Sequence, residues 1–196
     1  QTKNFDKAHS YLSNCLQECE YIGRKDSIEY IWCLIDMARL TQDQNKYEET
    51  DSIHKKAYSL LKGNDTYKDA FMYLLSEYYH NNYMFLRNYS KALSIAKENS
   101  IITNQLFGNL NQKYIQSLID QSYAYSALGQ YKSAVVLSDS ICILQEKLTG
   151  KDHPNYYIAL RDKVFAYNEI EDYNNALMFS DELIELTKGT EHWIDY

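Results

Sequence analysis

The sequence predicts an all-α protein, an α-solenoid of antiparallel helix pairs. The main observation is an aromatic residue followed three positions later by a small one, a pair that recurs five times at intervals of 42 residues. A repeat of 20 to 50 residues indicates stacked supersecondary units. The chain also has a single proline and no strand-like alternation, which leaves long helices uninterrupted. The five pairs are Phe5/Ala8, Tyr47/Thr50, Tyr89/Ala92, Tyr131/Ala134 and Tyr173/Ala176.

Each pair opens the second helix of a repeat. Apolar or aromatic residues follow each anchor aromatic at helical spacing, six residues on, at Tyr11, Ile53, Ile95, Leu137 and Phe179. Residues on one face of a helix recur at such intervals. We therefore predict second helices over residues 5–22, 45–62, 89–106, 131–149 and 173–188.

First helices are predicted upstream of the last four anchors. Leu118 and Leu160 stand thirteen residues before an anchor, and Tyr125 and Tyr167 stand six before it. Glycines support these boundaries, because a helix commonly ends at a residue in the left-handed conformation, which glycine adopts without strain. Gly129 falls in the predicted turn between two paired helices. The first helices are predicted over residues 26–43, 66–87, 109–128 and 154–170.

The chain is expected to be one array over residues 1–196. It begins with the second helix of a partial repeat at 5–22, followed by about four full repeats. Those repeats cover residues 26–63, 66–108, 109–150 and 154–189, and a further repeat is expected to start at 190–196.

The composition argues against nucleic acid as a partner and against membrane insertion. The net charge of −7 would repel nucleic acid, and the stretch from Glu169 onward carries eight acidic residues against one lysine. No apolar run is long enough to span a membrane, so membrane insertion by this segment is not expected.

The cysteines predict free thiols. Cys15, Cys19, Cys33 and Cys142 form no CxxC pair, and buried thiols favour a reducing compartment. The chain starts at Gln1 instead of Met, which keeps open a removed N-terminal segment and leaves localisation undecided.

The segment with Leu118, Tyr125, Gly129, Tyr131 and Ala134 resembles the tetratricopeptide repeat, or TPR. A repeat of 42 residues is longer than the usual 34 and is similar to the repeats of kinesin light chains, as found in bacterial multidomain TPR proteins. Gly150-Lys-Asp-His153-Pro154 and Gly189-Thr-Glu-His192-Trp193 resemble the segment that opens such repeats. The resemblance implies a right-handed TPR superhelix serving as the recognition or regulatory segment of a larger protein.

No catalytic chemistry is predicted. The sequence lacks the HExxH, GxGxxG, P-loop and GxSxG motifs, and its five histidines are scattered, so we expect neither an enzyme nor a cofactor or metal site. The histidines of the Gly-x-x-His segments are expected to bond backbone at a helix start.

Function is expected to follow from shape, with a protein or peptide partner in a concave groove lined by the first helices. If the repeats resemble ordinary TPR hairpins, the groove-facing positions lie five and eight residues before each anchor. The peptide-binding candidates are Arg39, Gln42, Asn81, Met84, Tyr123, Ser126, Phe165 and Asn168.

Two alternatives stay open. Each candidate residue could instead pack between neighbouring repeats, and the whole array could be a structural spacer or self-association module without a groove ligand.

Overall fold

The computed structural model describes residues 2–188, with side chains from residue 4 onward. Nine α-helices, and no strand, occur within that range. A 3-10 turn at Asp65–Tyr67 precedes the fourth helix, and a π-helix at Asn81–Phe85 follows it. The helices are α1 Thr2–Tyr21, α2 Ile28–Asp43, α3 Tyr47–Leu61, α4 Lys68–His80, α5 Tyr89–Phe107, α6 Gln112–Ala127, α7 Tyr131–Thr149, α8 Pro154–Glu169 and α9 Tyr173–Thr187.

The all-α fold class is confirmed. First helices (α2, α4, α6 and α8) alternate with second helices (α1, α3, α5, α7 and α9), and each lies over the range that the repeat predicted. The second Gly-x-x-His segment, with His192, and the expected start of a further repeat at 190–196 lie outside the described residues.

The chain divides within α5 into two compact units, unit 1 up to Ile95 and unit 2 from Ala96. In unit 1, helices α1 to α4 pack sequentially, each against the next. Ile31, Leu34, Leu61 and Leu74 are among the residues that fill its core. Each helix therefore buries its apolar side against its chain neighbours, as expected for a repeat protein.

Unit 2 repeats the same arrangement with α6 to α9. One core cluster joins Ile115 and Leu118 of α6 to Ile141 of α7 and Ala159 of α8. A second cluster is built around Leu160, with partly buried residues of α9 packed against it.

A small buried residue marks the close approach of the two helices in each full repeat. Ala92, Ala134 and Ala176 are buried in three repeats. The first full repeat has Thr50 there, and it also has Thr41 where the others have an aromatic. The structure explains both departures together, because the two hydroxyls lie 2.8 Å apart and Thr41 Oγ1 also donates to Ala38 O. The hydroxyl pair satisfies groups that would be costly to bury alone.

The turns between paired helices share one conformation. Asn45, Arg87, Gly129 and Glu171 stand 42 residues apart and have φ values of 59°, 51°, 70° and 62°. Only one of the four is glycine, the residue that adopts this left-handed conformation without strain. The fold therefore requires a positive φ at all four turn positions, although the sequence has a glycine at only one of them.

The predicted first helix at 66–87 is interrupted. Its last turn is the π-helix at Asn81–Phe85, which accommodates one extra residue relative to an α-helix. The extra residue shifts α4 by one position relative to the other first helices. As a result Leu75 is fully buried, whereas Ser76, which counting aligns with Leu34, is exposed.

The expectation of free thiols is wrong for two of the four cysteines. Cys15 of α1 and Cys33 of α2 form a disulfide, with Cα atoms 6.9 Å apart. They lie on facing helices, and only packing brings them together. Cys19 and Cys142 are free, and burial raises the pKa of Cys142 to about 12. The cysteines thus no longer favour a reducing compartment.

A buried histidine lies between α3 and α4. His54 is 1% exposed, its ring centroid is 5.2 Å from that of Tyr78, and neither ring nitrogen has a hydrogen-bond partner among the described residues. Burial lowers the pKa of His54 to about 4; the negative charge of Asp51 opposes this shift, and the positive charge of Lys91 adds to it.

The carboxylate of Asp51, which is close to His54, has three partners of its own. Asp51 forms ion pairs with Lys55 at 2.8 Å and Lys91 at 2.5 Å, and accepts a hydrogen bond from Asn82 Nδ2 at 3.1 Å. The Lys91 ammonium also lies 4.4 Å from the centroid of the Tyr78 ring. The His54 ring is therefore in a site that favours its neutral form.

The shared turn conformation makes a paired prediction. Gly129→Ala should lower the free energy of unfolding by about 1 kcal/mol, from backbone strain alone. A Cβ at Gly129 would meet no atom within 4 Å. Glu171→Gly, the reverse kind of change at the equivalent turn of the next repeat, should leave the free energy of unfolding unchanged or raise it. Urea denaturation of the two variants checks this, and an unchanged stability of Gly129→Ala would contradict it.

The environment of His54 predicts acid sensitivity. Its folded pKa is below the unfolded value, so its contribution to stability is complete above about pH 6.5 and is lost as the pH falls toward about 4. Between pH 7 and pH 5 the wild type should lose about 2 kcal/mol more than His54→Leu, which cannot titrate. Denaturant titrations at both pH values measure the difference, and equal losses would contradict it.

Candidate functional site

The positions eight residues before each anchor fall on the exposed side of the first helices in three of four cases. Arg39 on α2, Tyr123 on α6 and Phe165 on α8 are exposed, and Phe165 retains 58% of its surface. We call the surface-accessible residues of α2, α4 and the π-helix that continues α4 the first-helix face of unit 1, and those of α6 and α8 the first-helix face of unit 2.

Asn81 is the exception, and its predicted surface position is corrected. It is fully buried, and its Nδ2 donates to the Tyr47 carbonyl at 3.2 Å. The π-helix is the reason, since its extra residue moves the surface position one residue upstream, to the exposed His80. Counting back from Tyr89 could not reveal an inserted residue that leaves the repeat length unchanged.

Arg39 and Tyr123 make equivalent contacts in the two units. The Arg39 guanidinium lies 3.8 Å from Glu77 Oε1 and 5.4 Å from the centroid of the Tyr73 ring, both on the next first helix. In unit 2, the Tyr123 hydroxyl donates to Asp162 Oδ2 at 2.6 Å, again on the next first helix. Burial, followed by this hydrogen bond, raises the pKa of Tyr123. Both residues therefore connect neighbouring repeats as well as reaching the surface.

The positions five residues before each anchor lie near the ends of the first helices. Met84 is 55% exposed, Asn168 is exposed, and Gln42 and Ser126 are half-buried. The carbonyls of Gln42, Ser126 and Asn168 each accept the N–H of the left-handed turn residue three positions on, at 2.8 to 3.0 Å. The main chain here is occupied by the turn, and the side chains remain accessible.

Aromatic and aliphatic residues that the repeat positions missed extend both faces. Trp32, seven residues before Arg39, packs against Tyr73 with ring centroids 5.5 Å apart. Ile158, seven residues before Phe165, is also exposed. Seven residues are two helical turns, so the upstream neighbour on the same face was the signal that could have identified them.

An open cleft of about 510 Å³ lies in unit 2 beside the turns that follow α6 and α8. It is lined by residues 129–133 and 169–171. Ser126 and Asn168 precede these turns, which places the cleft at one end of the first-helix face of unit 2.

A buried carboxyl group lies on α6. Asp120 is buried, and its Oδ1 accepts a hydrogen bond from Gln116 Nε2 at 3.1 Å. Burial raises its pKa to about 6, with the Gln116 bond acting in the opposite direction. Charging it near neutral pH therefore has a free-energy cost that the unfolded chain does not share.

Three further observations concern metal binding, the start of α8 and the membrane. Over residues 2–188, no three His, Cys, Asp or Glu side chains gather in a way that could hold a metal ion. His153 Nδ1 accepts the N–H of Asn155 at 3.1 Å, which confirms its expected role at a helix start. No helix of the described part is long and apolar enough to cross a membrane.

Comparisons with known proteins agree with this architecture. Residues 116–155 match the family model of the tetratricopeptide repeat. A crystal structure of a variant of a putative kinesin light chain with nearly identical TPR-like repeats, from Podosopora anserina, superposes with a TM-score of 0.79 at 14% identity, covering 98% of this chain and 91% of that one. A second structure of that protein gives a TM-score of 0.72 at 15% identity, covering 98% and 97% of the two chains.

BtubC (BKLC) from P. vanneervenii is also similar, with a TM-score of 0.70 at 13% identity over 94% of this chain and 74% of that one. No curated protein matches the sequence. At these identities the superpositions concern the fold.

The fold and surface define an all-α helical-repeat scaffold, a class that is typically non-catalytic and generally used for protein interactions. The predicted resemblance is confirmed: residues 116–155 match the tetratricopeptide repeat, and the fold is similar to that of the kinesin-light-chain-like repeat structures.

The buried carboxyl of α6 gives a third prediction. The folded pKa of Asp120 is above the unfolded value, so stability falls as the pH rises from about 4 through about 6. Asp120→Asn should therefore stabilise the protein, by about 1 kcal/mol more at pH 7 than at pH 5. Asp139→Asn is the control, because Asp139 is ion-paired with Lys163 at 2.9 Å and should not give such a gain. Denaturant titrations measure both, and a gain independent of pH would contradict the prediction.

Proposed function

We propose that the first-helix face of each unit binds an extended segment of a protein partner. The observation that supports this most directly is the exposure of large apolar side chains among hydrogen-bonding ones. Met84 in unit 1 and Phe165 in unit 2 are more than half exposed, and each unit also has polar candidates, Gln42 in unit 1 and Ser126 and Asn168 in unit 2. An extended peptide needs apolar contacts for its side chains and donors and acceptors for its backbone.

The proposed contacts are seven of the eight residues that the repeat predicted. Asn81 is left out because it is fully buried. Arg39 and Tyr123 contribute while already bonded to Glu77 and Asp162, which holds their side chains in place before a partner binds. Such preorganisation reduces the conformational entropy lost on binding. The seven are Arg39, Gln42, Met84, Tyr123, Ser126, Phe165 and Asn168.

A second candidate is self-association or a spacer role through the second helices. Val136 and Ile143 of α7 are exposed one above the other, and Leu177 and Ile184 of α9 are exposed in the same way. Exposed apolar rows of this kind also fit association of two copies.

The two candidates are separated by matched substitutions. A phage-displayed library of random peptides is selected on the protein, and the synthetic winners are titrated by calorimetry against Phe165→Ala, Met84→Ala and Leu177→Ala. Leu177 is the control, since it is 64% exposed but lies on a second helix. We expect Phe165→Ala or Met84→Ala to weaken binding about tenfold, as truncation of an interface anchor does, and Leu177→Ala to leave it unchanged.

Other outcomes count against the proposal. Failure to select any peptide, or weakening by Leu177→Ala alone, would contradict binding by the first-helix faces. If sedimentation equilibrium also detected dimers that Leu177→Ala dissociates, the self-association candidate would replace it.

A further inference from the structure

Helix α2 of unit 1 is covered on nearly its whole circumference. Among residues 28–43, only five are exposed, and they follow one another at intervals of three and four residues. That spacing aligns them in a single stripe along the helix. The exposed stripe consists of Glu29, Trp32, Asp36, Arg39 and Asp43.

Tryptophan is the unexpected member of this stripe. Trp32 is 40% exposed although its ring packs against Tyr73, with the planes tilted by 54°. A tryptophan face attracts a cation more strongly than other aromatic rings do. The pair of rings therefore offers an accessible aromatic surface, and Glu29 and Asp36 lie about one helical turn before and after Trp32 on the same stripe.

Asp36 has no ion-pair partner among the described residues, as is also true of Glu29 and Asp43 of the stripe, but Asp36 is the one that lies between Trp32 and Arg39. It follows Trp32 by one helical turn, and no basic side chain of the described residues is within ion-pair distance of it. Glu77, in contrast, has Arg39 at 3.8 Å. Burial and then the charge of Glu77 raise the pKa of Tyr73, the charge of Arg39 opposes them, and Asp36 adds a smaller contribution that raises it, so both carboxylates act on this ring.

Arg39 demonstrates the same chemistry inside the molecule. Its guanidinium lies over the Tyr73 ring and next to a carboxylate of the neighbouring helix. Trp32 and Asp36 present that combination on α2 between one and two turns before Arg39, and within the described residues no cation lies over the Trp32 ring or pairs with Asp36. A cation from a partner would complete it.

Charge distinguishes this face from that of unit 2. Helices α2 and α4 carry five carboxylates and two permanent cations, whereas α6 and α8 carry three of each sign. The excess negative charge in unit 1 favours a basic segment and disfavours an acidic one.

We infer that Trp32, Asp36 and Tyr73 form a recognition point for an arginine or lysine side chain in the peptide that the first-helix face of unit 1 binds. The inference rests on the proposed function and adds the chemical class of the partner. The guest cation stacks on the indole and pairs with the Asp36 carboxylate, while Arg39 remains with Glu77.

The test uses two short peptides that differ only in charge. Acetyl-Ala-Ser-Arg-Ser-Ala-amide and its Gln counterpart are titrated into ¹⁵N-labelled protein, and the indole N–H signal of Trp32 is followed by NMR after assignment with Trp32→Phe. The Arg peptide should move this signal saturably, and the Gln peptide should not at equal concentration. Asp36→Asn should weaken the affinity about threefold, the range of an exposed ion pair.

Asp43→Asn is the matched control. It removes the same charge from the same stripe, two turns away from Asp36, and should leave the affinity nearly unchanged. Equal weakening by the two variants would show a general attraction to acidic surface and overturn the recognition point. So would equal shifts by the two peptides, or no shift up to roughly 10 mM peptide, where affinity is too weak to be specific.

These failures are distinct from a failure of the proposed function. If library peptides bind and depend on Phe165 or Met84, but the Arg peptide does not shift Trp32, then peptide binding stands and only the basic partner class is withdrawn. If no library peptide depends on either residue, the proposed function fails whatever the Arg peptide does.

Discussion

The close contact between the paired helices of each repeat is the constraint on which the other features depend. It requires a small buried residue three positions into the second helix, and Ala92, Ala134 and Ala176 meet that requirement. In the first full repeat a threonine occupies the position, and its hydroxyl is satisfied by Thr41. Because the contact fixes where the second helix starts, it also fixes the turn before it, and residues as different as Arg87 and Glu171 must adopt a positive φ.

The same constraint determines what the first helices can present. Once a first helix is packed on its neighbours, only a narrow stripe reaches the surface, as on α2. Side chains on that stripe are partly held by contacts between consecutive repeats, such as Arg39 with Glu77 and Tyr123 with Asp162. The surface proposed for binding is therefore partly held in place by contacts between consecutive repeats.

The π-helix after α4 interrupts this plan by one inserted residue. It turns Asn81 and Asn82 inward, where they bond the Tyr47 carbonyl and the Asp51 carboxylate. Nearby, His54 is buried beside the ring of Tyr78 without a hydrogen-bond partner in the described residues. Polar groups in an interior are expensive unless satisfied, so this part of unit 1 is more sensitive to pH than a purely apolar core would be.

The sequence by itself determined the helices, their order and most of the exposed positions. These features follow from the spacing of the anchor aromatics, small residues and glycines, which can be read directly along the chain. Seven of eight candidate positions reach the surface for that reason. Only the tertiary structure decided the burial of Asn81, the pairing of Cys15 with Cys33 and the contact of Trp32 with Tyr73. The physical reason is that each depends on a single inserted residue or on contact between separate helices, and neither leaves a trace in the period of the sequence.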